Sequence, residues 1–143
     1  MKSHYSLLIL MTTLLFSPVL EGQVSSLDIV GGEGFVETTI TAQILCTTDL
    51  PTHGFSLGIS HDGNILSIES LADVQAGPML MALNSNSGPA FFEININPSG
   101  GSGFTVACIT DLFNPFDLLP PMTSDPLLLV NYMIQPSAPV GTV

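Results

Sequence analysis

From residue 35 onward, apolar positions in this chain recur mostly every second residue, which is the spacing of a half-buried strand. Residues 35–48 show it best: Val36, Thr38, Ile40, Ala42, Ile44 and Cys46 fall on one face, and Glu37, Thr39, Thr41, Gln43, Leu45 and Thr47 on the other. Thr, Ile and Val suit such a pleated, half-covered surface. Pro51 and Thr52 interrupt the pattern. Residues 53–61 resume it, with Phe55, Leu57 and Ile59 opposite Gly54, Ser56, Gly58 and Ser60. Small residues along that second face predict close approach by another layer or a partner. Asp62-Gly63 separates this run from an expected strand over 65–71, and Asp-Gly between strand patterns predicts a hairpin turn.

Residues 76–83 predict a short helical turn, and 84–88 a loop. Strands are expected again over 91–97 and 104–110, joined by a flexible turn at 98–103. A proline-interrupted stretch, 112–126, leads to a last strand over 127–135. No long helix is expected. Short strands punctuated by 11 Pro and 13 Gly predict an all-β domain, either sandwich or barrel. The clear division into apolar and polar faces favours the sandwich.

The N-terminus has a different character. Lys2 precedes a run at 7–16 that is apolar except for Thr12 and Thr13, and Pro18 and Gly22 come after it. This order predicts a secretory signal peptide over residues 1–22. The run falls short of the ~20 apolar residues a bilayer span needs. The expectation is a secreted, extracellular or cell-surface protein whose single domain covers 27–143, with no membrane span after signal removal.

Charge narrows the partners further. The chain has 12 Asp and Glu against one Lys or Arg, which is Lys2. Without the leader, eleven acids remain and no Lys or Arg. No side-chain cation is then left to hold a phosphate, so nucleic acid is excluded as a partner and anionic lipid is disfavoured. Hydrophobic content of 45% with 9% charged residues argues against disorder.

Candidate chemistry is sparse. Cys46 and Cys108 both fall on expected core faces. Secretion permits a disulfide between them, worth about 3–5 kcal/mol in the chain-entropy model; two free buried thiols are the alternative. His53 and His61 share a face but flank one strand, which places them more than ~20 Å apart along it. Asp62, Glu69 and Asp73 are the carboxylates that glycoside hydrolysis would need, yet acids are spread through the whole chain. There is no G-x-S-x-G, H-E-x-x-H or phosphate-loop motif, so no catalysis is expected. Asp62, Asn64, Asn84, Asn86 and Asp125 are loop oxygen donors of the kind Ca²⁺ takes, without the full D-x-[DN]-x-[DN]-G spacing. Phe91, Phe92, Phe113 and Phe116 read first as core or loop anchors.

Residues 54–77, GFSLGISHDGNILSIESLADVQAG, resemble a segment of cohesin-like domains in which a core strand runs into an acidic turn and then a further strand. Phe55 and Leu57 match the core strand, Asp62 the turn acid, and Leu66, Ile68 and Val74 the further strand and its trailing loop. The stretch from Gly88 to Asp111 and residues 121–132 resemble modules of this kind in secreted bacterial multidomain proteins. The resemblance implies a jelly-roll-like β-sandwich of about nine strands, related to cohesins and some carbohydrate-binding modules. It implies non-catalytic binding to a protein partner or to a polysaccharide at the cell surface. Only about seven strands are visible in the pattern, so the domain is expected to be C-terminally incomplete at Val143. A calcium-stabilised structural spacer is the third reading.

Overall fold

The strongest alternation in the sequence builds the centre of the fold. In the computed structural model, which describes residues 25–113 and 115–139, strand β2 (Thr39–Thr48) buries Ile40, Ala42, Ile44, Cys46 and Thr48 on one face. It lies in a five-stranded sheet. β1 (Ser25–Val30) flanks it on one side and the long β8 (Met122–Ile134) on the other, and β8 also pairs with the short β4 (Leu66–Ser67) and β5 (Val74–Ala76). The second sheet has three strands in the order β3 (Gly54–Ser60), β7 (Gly103–Ile109) and β6 (Phe91–Ile96). Every pairing is antiparallel. The protein is all-β, as the alternation predicts.

The two sheets share one apolar core. Ile40, Ile44, Leu128, Val130, Tyr132 and Ile134 enter from the first sheet, and Phe104, Val106 and Cys108 from the second. Phe55, Leu57, Ile59, Phe92, Ile94 and Ile96 pack against this cluster. Burying each large apolar side chain stabilises by about 1.5–3 kcal/mol. With no Lys or Arg among the described residues, burial and backbone hydrogen bonds carry the fold. The helical turn α1 (Pro78–Met81) closes one side, where Leu80 is fully buried. It comes directly after Gly77, whose N–H donates to the Leu127 carbonyl at 2.8 Å.

Several boundaries differ from the sequence pattern for local reasons. The expected strand at 35–48 begins only at Thr39, because Glu37 sits at positive φ in a preceding turn. The hairpin at Asp62-Gly63 is corrected: neither residue has positive φ. Instead the Asp62 carbonyl accepts from Ile65 and Leu66 N–H, and its carboxylate accepts from Asn64 N–H at 2.9 Å. That compact turn carries the chain from β3 into the other sheet. The expected strand at 65–71 shrinks to β4, followed by a 3-10 turn at Leu71–Asp73. The last strand starts earlier than 127, at Met122. It accommodates Pro126 where the register with β2 slips, and Leu127 and Leu128 are both buried.

The β6–β7 hairpin turns through Pro98–Gly100, as the composition of 98–103 predicts. It ends at Gly103, whose φ is +151°; a Cβ there would collide with the Ile59 carbonyl oxygen. The structure contains eight strands among the described residues. The apolar run at 7–16 and the chain end at Val143 lie outside those residues. No helix among them is long and apolar enough to cross a membrane.

Candidate functional site

β1 is where the two sheets fail to match. Its register with β2 sets Leu27 opposite Cys46 and Ile29 opposite Ile44, so both belong to the face that is core in β2. Yet Leu27 is 48% and Ile29 58% exposed, while Ile44 is fully buried. The second sheet ends at β3, and among the described residues no further strand lies beyond it to cover β1. A cleft therefore runs between the edges of β1 and β3. At one end it encloses about 470 Å³, with Leu27, Cys46, Phe55, Leu57, Leu119 and Met122 in its walls. At the other end lie about 290 Å³ bounded by Ile29, Ile40, Ile59, His61 and Tyr132.

The β3 rim of the cleft is an open strand edge. His53 accepts from Thr110 N–H through its carbonyl, and His61 N–H donates to the Ser102 carbonyl. The β3–β7 register continues that parity through Phe55, Leu57 and Ile59. In an antiparallel ladder, alternate residues point their backbone groups the other way. Gly54, Ser56, Gly58 and Ser60 therefore direct their N–H and C=O groups outward, away from β7. At the far end of the cleft, His61 Nδ1 is buried with no hydrogen-bond partner among the described residues. The His61 ring meets Tyr132 edge-on at 5.2 Å. Burial pushes the His61 pKa down, and the neighbouring Asp62 carboxylate opposes that shift.

Both cysteines are free and buried. Cys46 forms part of the cleft floor. Its thiol pKa is raised, first by burial and then by the Asp125 carboxylate. Burial pushes Cys108 up to about 11. In this structure burial holds both thiols in their protonated form.

The five calcium-type donors do not converge. Asp62 and Asn64 hydrogen-bond to each other in the turn after β3. Asn84 lies toward the opposite end of that strand: its Nδ2 donates to the Thr110 carbonyl at 2.7 Å, and Thr110 N–H reaches His53. Seven strand residues separate the two places, roughly 20 Å at strand rise. Asn86 stands at positive φ in the turn Leu83–Asn86. Asp125 accepts from Thr123 N–H and faces Cys46 across the ladder. Among the described residues, no group of three or more His, Cys, Asp or Glu is placed to hold a metal. Glu69 and Asp73 are likewise engaged locally: Glu69 accepts from the Ser67 hydroxyl and Asp73 from Ser70 N–H.

A second exposed apolar feature lies on the loop after β7. Phe113 is 77% and Phe116 49% exposed, and the Phe116 ring packs edge-on against His53 at 4.6 Å. Asp111 anchors this loop by accepting from Phe113 and Asp117 N–H, both at 3.0 Å. Those bonds hold its carboxyl below the usual range.

No family model, curated protein or solved structure matches the chain. Sequence reasoning missed β1 and with it the cleft. The signal was present in Leu27, Ile29 and their alternation with Ser26 and Asp28, but the segment is only six residues long.

Proposed function

We propose that the protein is an exported, non-catalytic binding module with a polypeptide partner, built as a jelly-roll-like sandwich of the cohesin-like kind that residues 54–77 resemble. The observation that carries this reading is the uncovered apolar cleft between β1 and β3, where Leu27 and Ile29 stand on a core face but in water. Contiguous exposed apolar surface of this sort marks interaction sites. The eleven carboxylates of the described residues, with no Lys or Arg, favour a cationic partner and fast, salt-sensitive association.

Carbohydrate binding is the second reading, favoured by the exposed rings of Phe113 and Phe116. Parallel screening on a peptide array and a glycan array separates the two. Peptide binding that is weakened by Leu27→Ser supports the polypeptide partner. Binding to polysaccharide alone, weakened by Phe113→Ala, overturns it.

A further inference from the structure

Resting on that reading, we infer that the β1–β3 cleft receives an extended, cationic segment of a partner polypeptide, which adds as a fourth strand to the free edge of β3. Three observations lead there. Gly54, Ser56, Gly58 and Ser60 present a continuous row of outward backbone donors and acceptors, the template that strand addition uses. A strand paired to that edge lies over β1, so alternate side chains of the incoming segment point down into the cleft. The two positions it would cover, Leu27 and Ile29, are themselves spaced by two, which matches the side-chain period of a strand.

Charge selects the occupant. A second copy of this chain brings another eleven carboxylates and no Lys or Arg along its described length. A segment with apolar residues at one parity and Lys or Arg at the other satisfies both surfaces. Its apolar side chains cover Leu27, Ile29 and Leu57, and its cations face outward into the field of the carboxylates.

The test titrates the isotopically labelled full chain with a nine-residue peptide of alternating Lys and Val, followed by amide NMR shifts and calorimetry in 0.1 M salt. Two control peptides replace Val by Ser or Lys by Glu. A protein variant, Ser56→Pro, removes one outward N–H of β3 without touching the β7 ladder, a place where an edge strand tolerates proline.

The expected result is shift changes concentrated in Ser25–Val30 and Gly54–Ser60. Each control peptide and the Ser56→Pro variant should bind at least tenfold more weakly, and a thermal melt of the variant should match the parent. Equal binding by the Lys/Ser peptide, or undiminished binding by Ser56→Pro, overturns strand addition. Shifts confined to residues 111–116, away from the cleft wall at Leu119, do so as well, while leaving a polypeptide-binding module standing. Contacts from residues 1–24 into the cleft, or a dimer at 0.1 M salt, assign the cleft to this chain itself and overturn the inference. No peptide binding together with a positive glycan array overturns the module reading too.

Discussion

Ile29 and Ile44 are paired directly across β1 and β2 and point to the same side of the sheet, yet one is mostly in water and the other fully buried. Removing the same atoms from both tests whether the cleft is open in solution. Ile44→Ala deletes a side chain packed against Leu128 and the second sheet, and it leaves a cavity. Such changes cost about 2–5 kcal/mol. Ile29 is rather less than half covered, so its share of the 1.5–3 kcal/mol of full burial is about 1 kcal/mol. Its loss opens no cavity, because water already reaches the site. Both variants lose a similar, smaller amount of strand preference, roughly 0.5 kcal/mol. With a urea m-value of about 2 kcal/mol/M, Ile44→Ala should lower the unfolding midpoint by about 1.25–2.75 M and Ile29→Ala by about 0.75 M, with m unchanged. Equal shifts would mean that something already covers β1, and the open cleft would be refuted.

Thr110 is fully buried, and its hydroxyl donates to the His53 carbonyl at 2.9 Å, a carbonyl that Thr110 N–H also satisfies. Thr110→Val should therefore cost only about 0.5–1.5 kcal/mol in chemical denaturation, and a loss above 3 would reveal a larger role for the hydroxyl. Because the folded state lowers the His61 pKa from 6.5, the unfolded chain takes up the proton first as pH falls. The His61 contribution to stability should be flat above pH 6.5 and decline below it, and His61→Gln should flatten that decline. Cys108 shows the opposite sign: the unfolded thiol ionises near 9.0 and the folded one at about 11, so stability should fall between those values. Cys108→Ala should lessen that alkaline slope, and thiol reagents should label Cys108 only in denaturant.

The all-β character and the core face of β2 were legible because alternation over ten residues has one reading. The β6–β7 hairpin was legible because Gly and Pro cluster between two clean strand patterns. Asp62-Gly63 misled for a physical reason. The dipeptide predicts a tight turn, and there is one, but the Asp62 carboxylate folds back onto Asn64 N–H and directs the chain to the other sheet. β4 and β5 were unreadable as separate short strands, since each gains its ladder only by lying against β8. The cleft lay further out of reach. Alternation tells which side chains share a face, and it placed Leu57 and Ile59 correctly. It does not tell how many strands the facing sheet has, and that number decides whether Leu27 and Ile29 are core or surface.

Edge strands are usually protected by Lys, Pro, bulges or inward charges. The outward row of β3 has none of these, and β1 carries only Asp28. What the chain has instead is a single sign of charge over its whole described length, which acts at a distance and depends on ionic strength. At 0.1 M salt the screening length is about 10 Å and two copies repel before their edges meet; at 1 M it is about 3 Å and the repulsion is largely gone. The apolar cleft is indifferent to that change or slightly strengthened by it. Sedimentation velocity should accordingly find monomer at 0.1 M NaCl and a growing dimer fraction toward 1 M, suppressed by Ser56→Pro. A dimer that dissociates as salt rises would show that ion pairs and not apolar edges hold copies together, and with no Lys or Arg among the described residues such pairs have no source there.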